Sequence, residues 1–251
     1  MCKILDVEIT DITRRQAIEM LEDVIAQYDG HSRCVFFANA HTLNLTETNN
    51  EYRDVVNSAD HVLGDGTGIR WASKINGTPV KDNVNGTDLM PEFFRATAKR
   101  HHRYYLLGAD VPTVRQAAAT ARENFPDARQ VGYHHGFVKN ADASARVIAE
   151  INAARPDVLL VGMGNPLQEQ WINEHRHELK VPLIIAVGGL LDFWAGTFSR
   201  APRWLRKLGH EWMWRLCMQP ADKSRRYLLG NPLFLYRVLR RRFARPAPTP
   251  A

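Results

Sequence analysis

Short apolar runs alternate with helical stretches through the first 196 residues and predict an α/β protein, a mostly parallel sheet flanked by helices, with a basic helical C-terminal appendage. Three observations carry this reading. Runs such as Val158-Leu159-Leu160-Val161 are apolar without interruption, as in strands buried on both faces. The stretches between them are long enough for crossover helices. The charge is also uneven: thirteen of the 33 Lys and Arg, but only two of the 27 Asp and Glu, lie from Arg200 onward.

In chain order, Val7-Glu8-Ile9 reads as a short strand. Thr13 can cap the helix that follows, where Ala17, Ile18, Leu21, Val24 and Ile25 recur at helical spacing before Gly30 ends it. Val35-Phe36-Phe37-Ala38 and His61-Val62-Leu63 are strands that open into polar loops, separated by a polar helical stretch from Leu43 to Ser58. Gly66 to Ile75 forms a helix closed by Gly77, and Leu89 to Arg100 forms another with Thr87 and Asp88 at its start. A second series begins with the strand Tyr104 to Gly108. It continues with helix Pro112 to Phe125, strand Gln130 to Tyr133, helix Ala143 to Ala154, and strands Val158 to Gly164 and Pro182 to Gly189. That order is Rossmann-like. It assigns 1–196 to the α/β core, 197–245 to the appendage and 246–251 to a disordered tail.

With 45% hydrophobic and 24% charged residues, the 251-residue chain has the composition of a protein that folds alone. Cys2, Cys34 and Cys217 lack metal spacing, which fits a reducing compartment and no disulfide framework; Cys34 is expected in the core. No signal peptide precedes the fold, and no apolar run approaches the roughly 20 residues that span a bilayer. The net charge of +6 does not indicate nucleic acid, because the excess sits in a segment rich in Trp, Leu, Phe and Tyr beside an acidic body. An anionic membrane surface or an anionic ligand suits it better. After Pro232, Leu235, Val238, Leu239 and Phe243 fall on one side of a helix, with Arg237, Arg240 and Arg241 on the other. No metal site is expected, since the pairs His101-His102 and His134-His135 diverge on a strand and no Asp-x-Asp ends one. No sequence feature fixes an oligomeric state.

Ligands bind outside the carboxyl ends of parallel strands, so Asn39, His41, Thr42 and Asp65 should converge on one crevice. Gly64-Asp65-Gly66 alone is an ordinary turn signal. Three glycines in Gly64-Asp65-Gly66-Thr67-Gly68, ahead of a helix, also let backbone N–H groups face an anion. Gly-x-Gly-x-x-Gly does not occur, so a nucleotide-dependent oxidoreductase stands as an alternative on fold alone, as does a noncatalytic basic membrane-binding module. Asn165 to Trp171 follows a buried strand, which sets Gln168 at a helix N-terminus on the same edge as Asp65.

Together, Asn39-Ala40-His41-Thr42, Asp65-Gly66-Thr67-Gly68 with Trp71-Ala72, Gly86-Thr87-Asp88-Leu89, Gly164-Asn165-Pro166-Leu167-Gln168-Glu169, Arg200-Ala201-Pro202 and Glu211-Trp212 are specific. Over nearly its whole length the chain resembles the WecG/TagA/CpsF family, glycosyltransferase family 26. The resemblance implies transfer of a sugar, without a cofactor, from a UDP-sugar donor to a polyprenyl-pyrophosphate-linked saccharide at the cytoplasmic membrane face. Products of this type are precursors of exopolysaccharide, teichoic acid or common antigen. It implies Asp65 as general base and Thr42 and Gln168 as pocket residues, with Asn39, His41, Gly66, Asn83, Asp88 and Gly164 completing the substrate site. Arg215, Arg225 and Arg226 would hold substrate phosphates. Asn83 and Asp222 stand where the family commonly has arginine.

Overall fold

A computed structural model describes residues 2–138, 140–202, 204–205, 211–218 (the Arg215 side chain excepted) and 224–244. The expected tail, 246–251, and Asp222 lie outside the described residues.

The chain opens with an antiparallel hairpin, β1 (Cys2–Ile4) and β2 (Val7–Ile9), and helix α1 (Arg14–Ala26). Thr13 caps α1 with Gln16 as its reciprocal partner, as the sequence predicts. Then come β3 (Arg33–Ala38), α2 (Ala40–Thr48), α3 (Asn50–Asn57), β4 (His61–Gly64), α4 (Thr67–Ile75) and α5 (Gly86–Ala96). The second series is β5 (Arg103–Gly108), α6 (Val111–Asn124), β6 (Arg129–His134), α7 (Ala141–Ala154), β7 (Val158–Gly162), α8 (Leu167–His175), β8 (Leu183–Ala186) and α9 (Leu190–Trp194). The C-terminal segment supplies α10 (Glu211–Met218), a π-helical stretch over Arg225–Leu229, and α11 (Gly230–Ala244).

Six strands form a parallel sheet in the order β4-β3-β8-β7-β5-β6, so all six carboxyl ends share one edge. Alternate side chains serve opposite faces. Val35, Phe37, Leu106, Leu160 and Ile185 face one buried layer, and Cys34, Phe36, Leu107, Leu159 and Ile184 face the other. A third cluster joins the two ends of the chain, packing Ile4, Val7 and Ile9 with Tyr52, Val62, Ile69, Phe234 and Val238.

Several expected elements differ. The stretch from Leu43 to Ser58 is two helices, because the Asn49 side chain accepts the N–H of Tyr52 and restarts the turn. The helix expected over Leu89 to Arg100 begins at Gly86, capped by Asn85 rather than by Thr87 or Asp88. It ends at Ala96, with a short 3₁₀ turn over Ala98–Arg100. β1 and α9 had no recognised signal, each being too short to show a period. His102 is buried, its ring stacked on Phe93 at 5.5 Å between centroids, so it is a core residue rather than surface. In α11, Phe234 and Val238 are buried. Arg237 donates to Asn44 Oδ1 at 2.9 Å, and Arg241 pairs with Asp6 and Glu47. The side expected to hold all three arginines against solvent therefore faces the body, and of the three only Arg240 is exposed.

Candidate active site

Asp65 stands on the turn between β4 and α4. Three links fix this turn: the Asp65 N–H donates to Ala38 O at 2.8 Å, the Gly66 N–H to Asn83 Oδ1 at 2.6 Å, and the Val84 N–H to Gly64 O at 3.0 Å. Gly66 has φ 93°, where a side chain would be strained, and a Cβ on Gly64 would meet Ile69 Cγ2 at 2.9 Å. The half-buried Asp65 lines a cavity of about 450 Å³.

The cavity lining comes from two distant parts of the chain. Asn39, Ala40, His41, Asp65 to Gly68 and Trp71 come from the carboxyl ends of β3 and β4 and from α4, joined by Asn83 and Asn85. Glu211, Trp212, Arg226 and Leu228 come from the C-terminal segment, with α11 closing one end. Asn39 links the two. Its Oδ1 caps α2, accepting the N–H groups of His41 and Thr42 at 3.0 and 3.1 Å and the Thr42 hydroxyl at 3.3 Å. It also accepts Arg226 Nη2 at 3.4 Å. The N-terminus of α4 has no side-chain cap, and its first residues, Thr67 and Gly68, line the cavity. The positive end of a helix dipole favours an anion.

A guanidinium spans the same two parts of the chain. Arg200 donates to Asp88 Oδ1 at 2.8 Å, to Thr87 O at 3.3 Å and to Glu211 Oε1 at 3.1 Å. Burial alone would raise the Asp88 carboxyl. The hydrogen bond from Asn85 and the charge of Arg200 outweigh it and hold the group below its ordinary range. Asn85, so braced, lines the cavity beside Asn83.

Further along the sheet edge, over β7 and β8, Gln168 is buried. Its Oε1 accepts the N–H groups of Gly164 and Gly188 at 3.2 and 3.0 Å, and its Nε2 donates to Glu169 Oε1 at 2.7 Å. Glu169 also accepts Asn165 Nδ2 at 2.6 Å and the Tyr52 hydroxyl at 3.1 Å. Its carboxyl is pushed up by burial, which these hydrogen bonds partly offset.

The structure thus brings Asn39, His41, Asp65, Gly66, Asn83 and Arg226 into one cavity. Thr42 is buried beneath Asn39, Asp88 lies behind Asn85, and Gly164 and Gln168 lie outside this lining on the same edge of the sheet. Arg225 is exposed, and the Arg215 side chain lies outside the described residues. Sequence reasoning had not assigned Trp71, Asn85, Glu211, Trp212 or Arg200 to the site. Asn85 carried a readable signal, an Asn three residues ahead of Asp88 at a helix start.

A carboxylate at a strand end, a helix N-terminus and an arginine around one cavity suit an α/β group-transfer enzyme. The chain belongs to the WecG/TagA/CpsF family of glycosyltransferases, whose profile, described as Glycosyl transferase WecG/TagA/CpsF family, matches residues 2–248. Among its relatives is an N-acetylglucosaminyldiphosphoundecaprenol N-acetyl-beta-D-mannosaminyltransferase of Staphylococcus aureus strain MW2. It is 31% identical over 235 residues, 94% of this chain and 91% of that protein. The protein of the same name from strain NCTC 8325 / PS 47 is 30% identical over 235 residues, with the same shares covered.

Proposed function

We propose that this glycosyltransferase moves a sugar, with inversion, from a UDP-sugar donor to a saccharide carried on a polyprenyl diphosphate, in the assembly of a surface polysaccharide. The single observation that carries the reading is the common cavity of Asp65 and Arg226 at the carboxyl edge of the sheet. A sugar hydroxyl is a weak nucleophile, and Asp65 takes its proton as the oxygen bonds to the anomeric carbon. The bond from that carbon to the phosphate oxygen breaks, and UDP departs with the electron pair. Arg226, with Arg215 and Arg225 from the same segment, and the N–H groups at the start of α4 answer the negative charge. His41, Thr42, Asn39, Asn83 and Asp88 shape the pocket, and Gln168 holds the Gly164 and Gly188 loops. The relatives' names support a lipid-diphosphate acceptor, since those proteins act on N-acetylglucosaminyldiphosphoundecaprenol.

A lipid-linked acceptor calls for contact with a bilayer, and we assign that contact to the C-terminal segment, 197–245, at the cytoplasmic face. Among the described residues no helix is long and apolar enough to cross a membrane. Leu233, Tyr236, Arg240 and Phe243 lie at helical spacing on the outer face of α11, all exposed, with Leu228 and Leu229 exposed just before them. Apolar anchors with Arg240 among them suit reversible attachment to an anionic leaflet, the arginine adding about 1 kcal/mol.

The test is transfer itself. The purified protein is given a panel of UDP-hexoses and UDP-N-acetylhexosamines with a soluble short-chain alkyl diphosphate sugar, and products are read by mass spectrometry and their anomeric configuration by NMR. A disaccharide diphosphate with an inverted linkage is expected. Absence of transfer from every donor, with the protein folded, would overturn the reading.

A further inference from the structure

The cavity lining combines polar and apolar side chains. Asp65, Asn83, Asn85 and Arg226 are among the polar ones, and Trp71, Leu228, Pro232 and Leu235 among the apolar ones. On α4 the lining residues Thr67, Gly68 and Trp71 share one face, and a rise of about 1.5 Å per residue sets Trp71 about 6 Å beyond Thr67, away from the Asp65 turn. Trp71 is 47% exposed, so it stands at the rim; Leu228, also in the lining, is 57% exposed. The helices behind this rim are tightly joined, since a Cβ on Gly68 would lie 3.4 Å from Phe234 Cε1 and 3.2 Å from Ala40 Cβ. Trp71 therefore rises from a helix packed closely against α2 and α11.

We propose that the Trp71 rim is a subsite for the first isoprene units of the acceptor lipid, with Leu228 and Pro232 as further walls. The proposal rests on the glycosyl-transfer reading, which places the sugar diphosphate at Asp65 and Arg226. A lipid-linked sugar runs from hydroxyls through phosphates to hydrocarbon, and the cavity holds a carboxylate at Asp65, a guanidinium at Arg226 and an exposed indole at Trp71. Leu228 is followed by Leu229 and by the exposed Leu233, Tyr236 and Phe243 of α11, so the apolar surface continues from the rim along the outer face of the helix. A half-exposed indole at this rim gains more from covering hydrocarbon than from facing water.

The test uses soluble acceptors, so that partition into a bilayer plays no part. One diphosphate sugar is prepared as its methyl ester and as its two-isoprene ester, and the ratio of their KM values is measured within each protein, where any general loss of activity cancels. For the unaltered protein the two-isoprene acceptor is expected to have a KM about tenfold lower, as partial burial of one isoprene unit implies. Trp71→Ala should collapse the ratio to about twofold or less, and Trp71→Phe should retain most of it. A ratio near one in the unaltered protein, or the same large ratio in Trp71→Ala, would overturn the subsite while leaving glycosyl transfer intact. Failure of the unaltered protein to use either acceptor with any nucleotide sugar would remove the transfer reading and the subsite with it.

Discussion

Replacing Arg200 by Met keeps an unbranched apolar stem and removes the guanidinium that spans Asp88 and Glu211. All three side chains are about a quarter exposed, at 24%, 24% and 23%. Exposed pairs are worth about 0–1 kcal/mol, and removing one partner of a fully buried pair costs about 3–5 kcal/mol. At this exposure a loss of about 2 kcal/mol is expected, a factor of about 30 in the equilibrium that holds α10 against the start of α5. Glu211 and Trp212 line the cavity, so turnover of a soluble acceptor should fall by up to that factor, and amide exchange across 211–218 should speed up. The pH dependence has a definite sign. The folded Asp88 carboxyl lies below its ordinary value, so its contribution is full above about pH 4 and is lost as pH falls through the lower folded value. Protection of 211–218 in the unaltered protein should hold down to about pH 4 and fade below, whereas in Arg200→Met it should be lower by up to about 30-fold and should lack that fall near pH 4. If Arg200→Met matched the unaltered protein within twofold in both exchange and turnover, the bridge would not hold this wall.

Asp65→Asn should fold and bind UDP yet lose roughly 10²- to 10⁴-fold in transfer rate, read by product formation; a loss under tenfold would remove Asp65 as the base. Transfer should persist in excess chelator if, as proposed, Arg226 takes the leaving-group charge; recovery only with Mg²⁺ or Mn²⁺ would contradict this. Tyr52→Phe deprives the buried Glu169 of a donor and should lower stability by about 1–2 kcal/mol, seen as an earlier urea midpoint. An unchanged midpoint would show that the remaining donors suffice.

The sheet was legible because its strands are uninterrupted apolar runs, and a run such as Val158 to Val161 has few other uses. Helix boundaries were not legible where one side chain decides them, as Asn49 does between α2 and α3 and Asn85 does at α5. Asp65 was readable from its place at a strand end between glycines. The partnerships around it were not, since Asn39 meets Arg226 across 187 positions and Arg200 meets Asp88 across 112. Several polar residues marked by the sequence hold the frame in this structure. Asn39 caps a helix and steadies an arginine, and Gln168 ties two glycine loops together. Their identity is readable from composition, whereas their role needs the fold.

Deleting the chain after Gly196 does not separate membrane attachment from catalysis, because α11 serves the core on its inner side. Phe234 and Val238 are each 1% exposed and pack with Ile4, Ile9, Tyr52 and Ile69. Burying two such side chains is worth about 3–6 kcal/mol as an upper figure, comparable with the whole stability of many domains. Truncation should therefore loosen β1, β2 and α4 and move the Asp65 turn, whatever the outer face does. Tyr236→Glu and Phe243→Glu change only the outer face. Binding to anionic vesicles should drop severalfold in both, and that of the unaltered protein should weaken as salt is raised, while the urea midpoint and turnover of a soluble acceptor stay near those of the unaltered protein. Phe234→Ala should do the reverse, costing about 3–5 kcal/mol in stability. If the two outer substitutions bound vesicles as the unaltered protein does, the exposed side of α11 would not be the membrane contact.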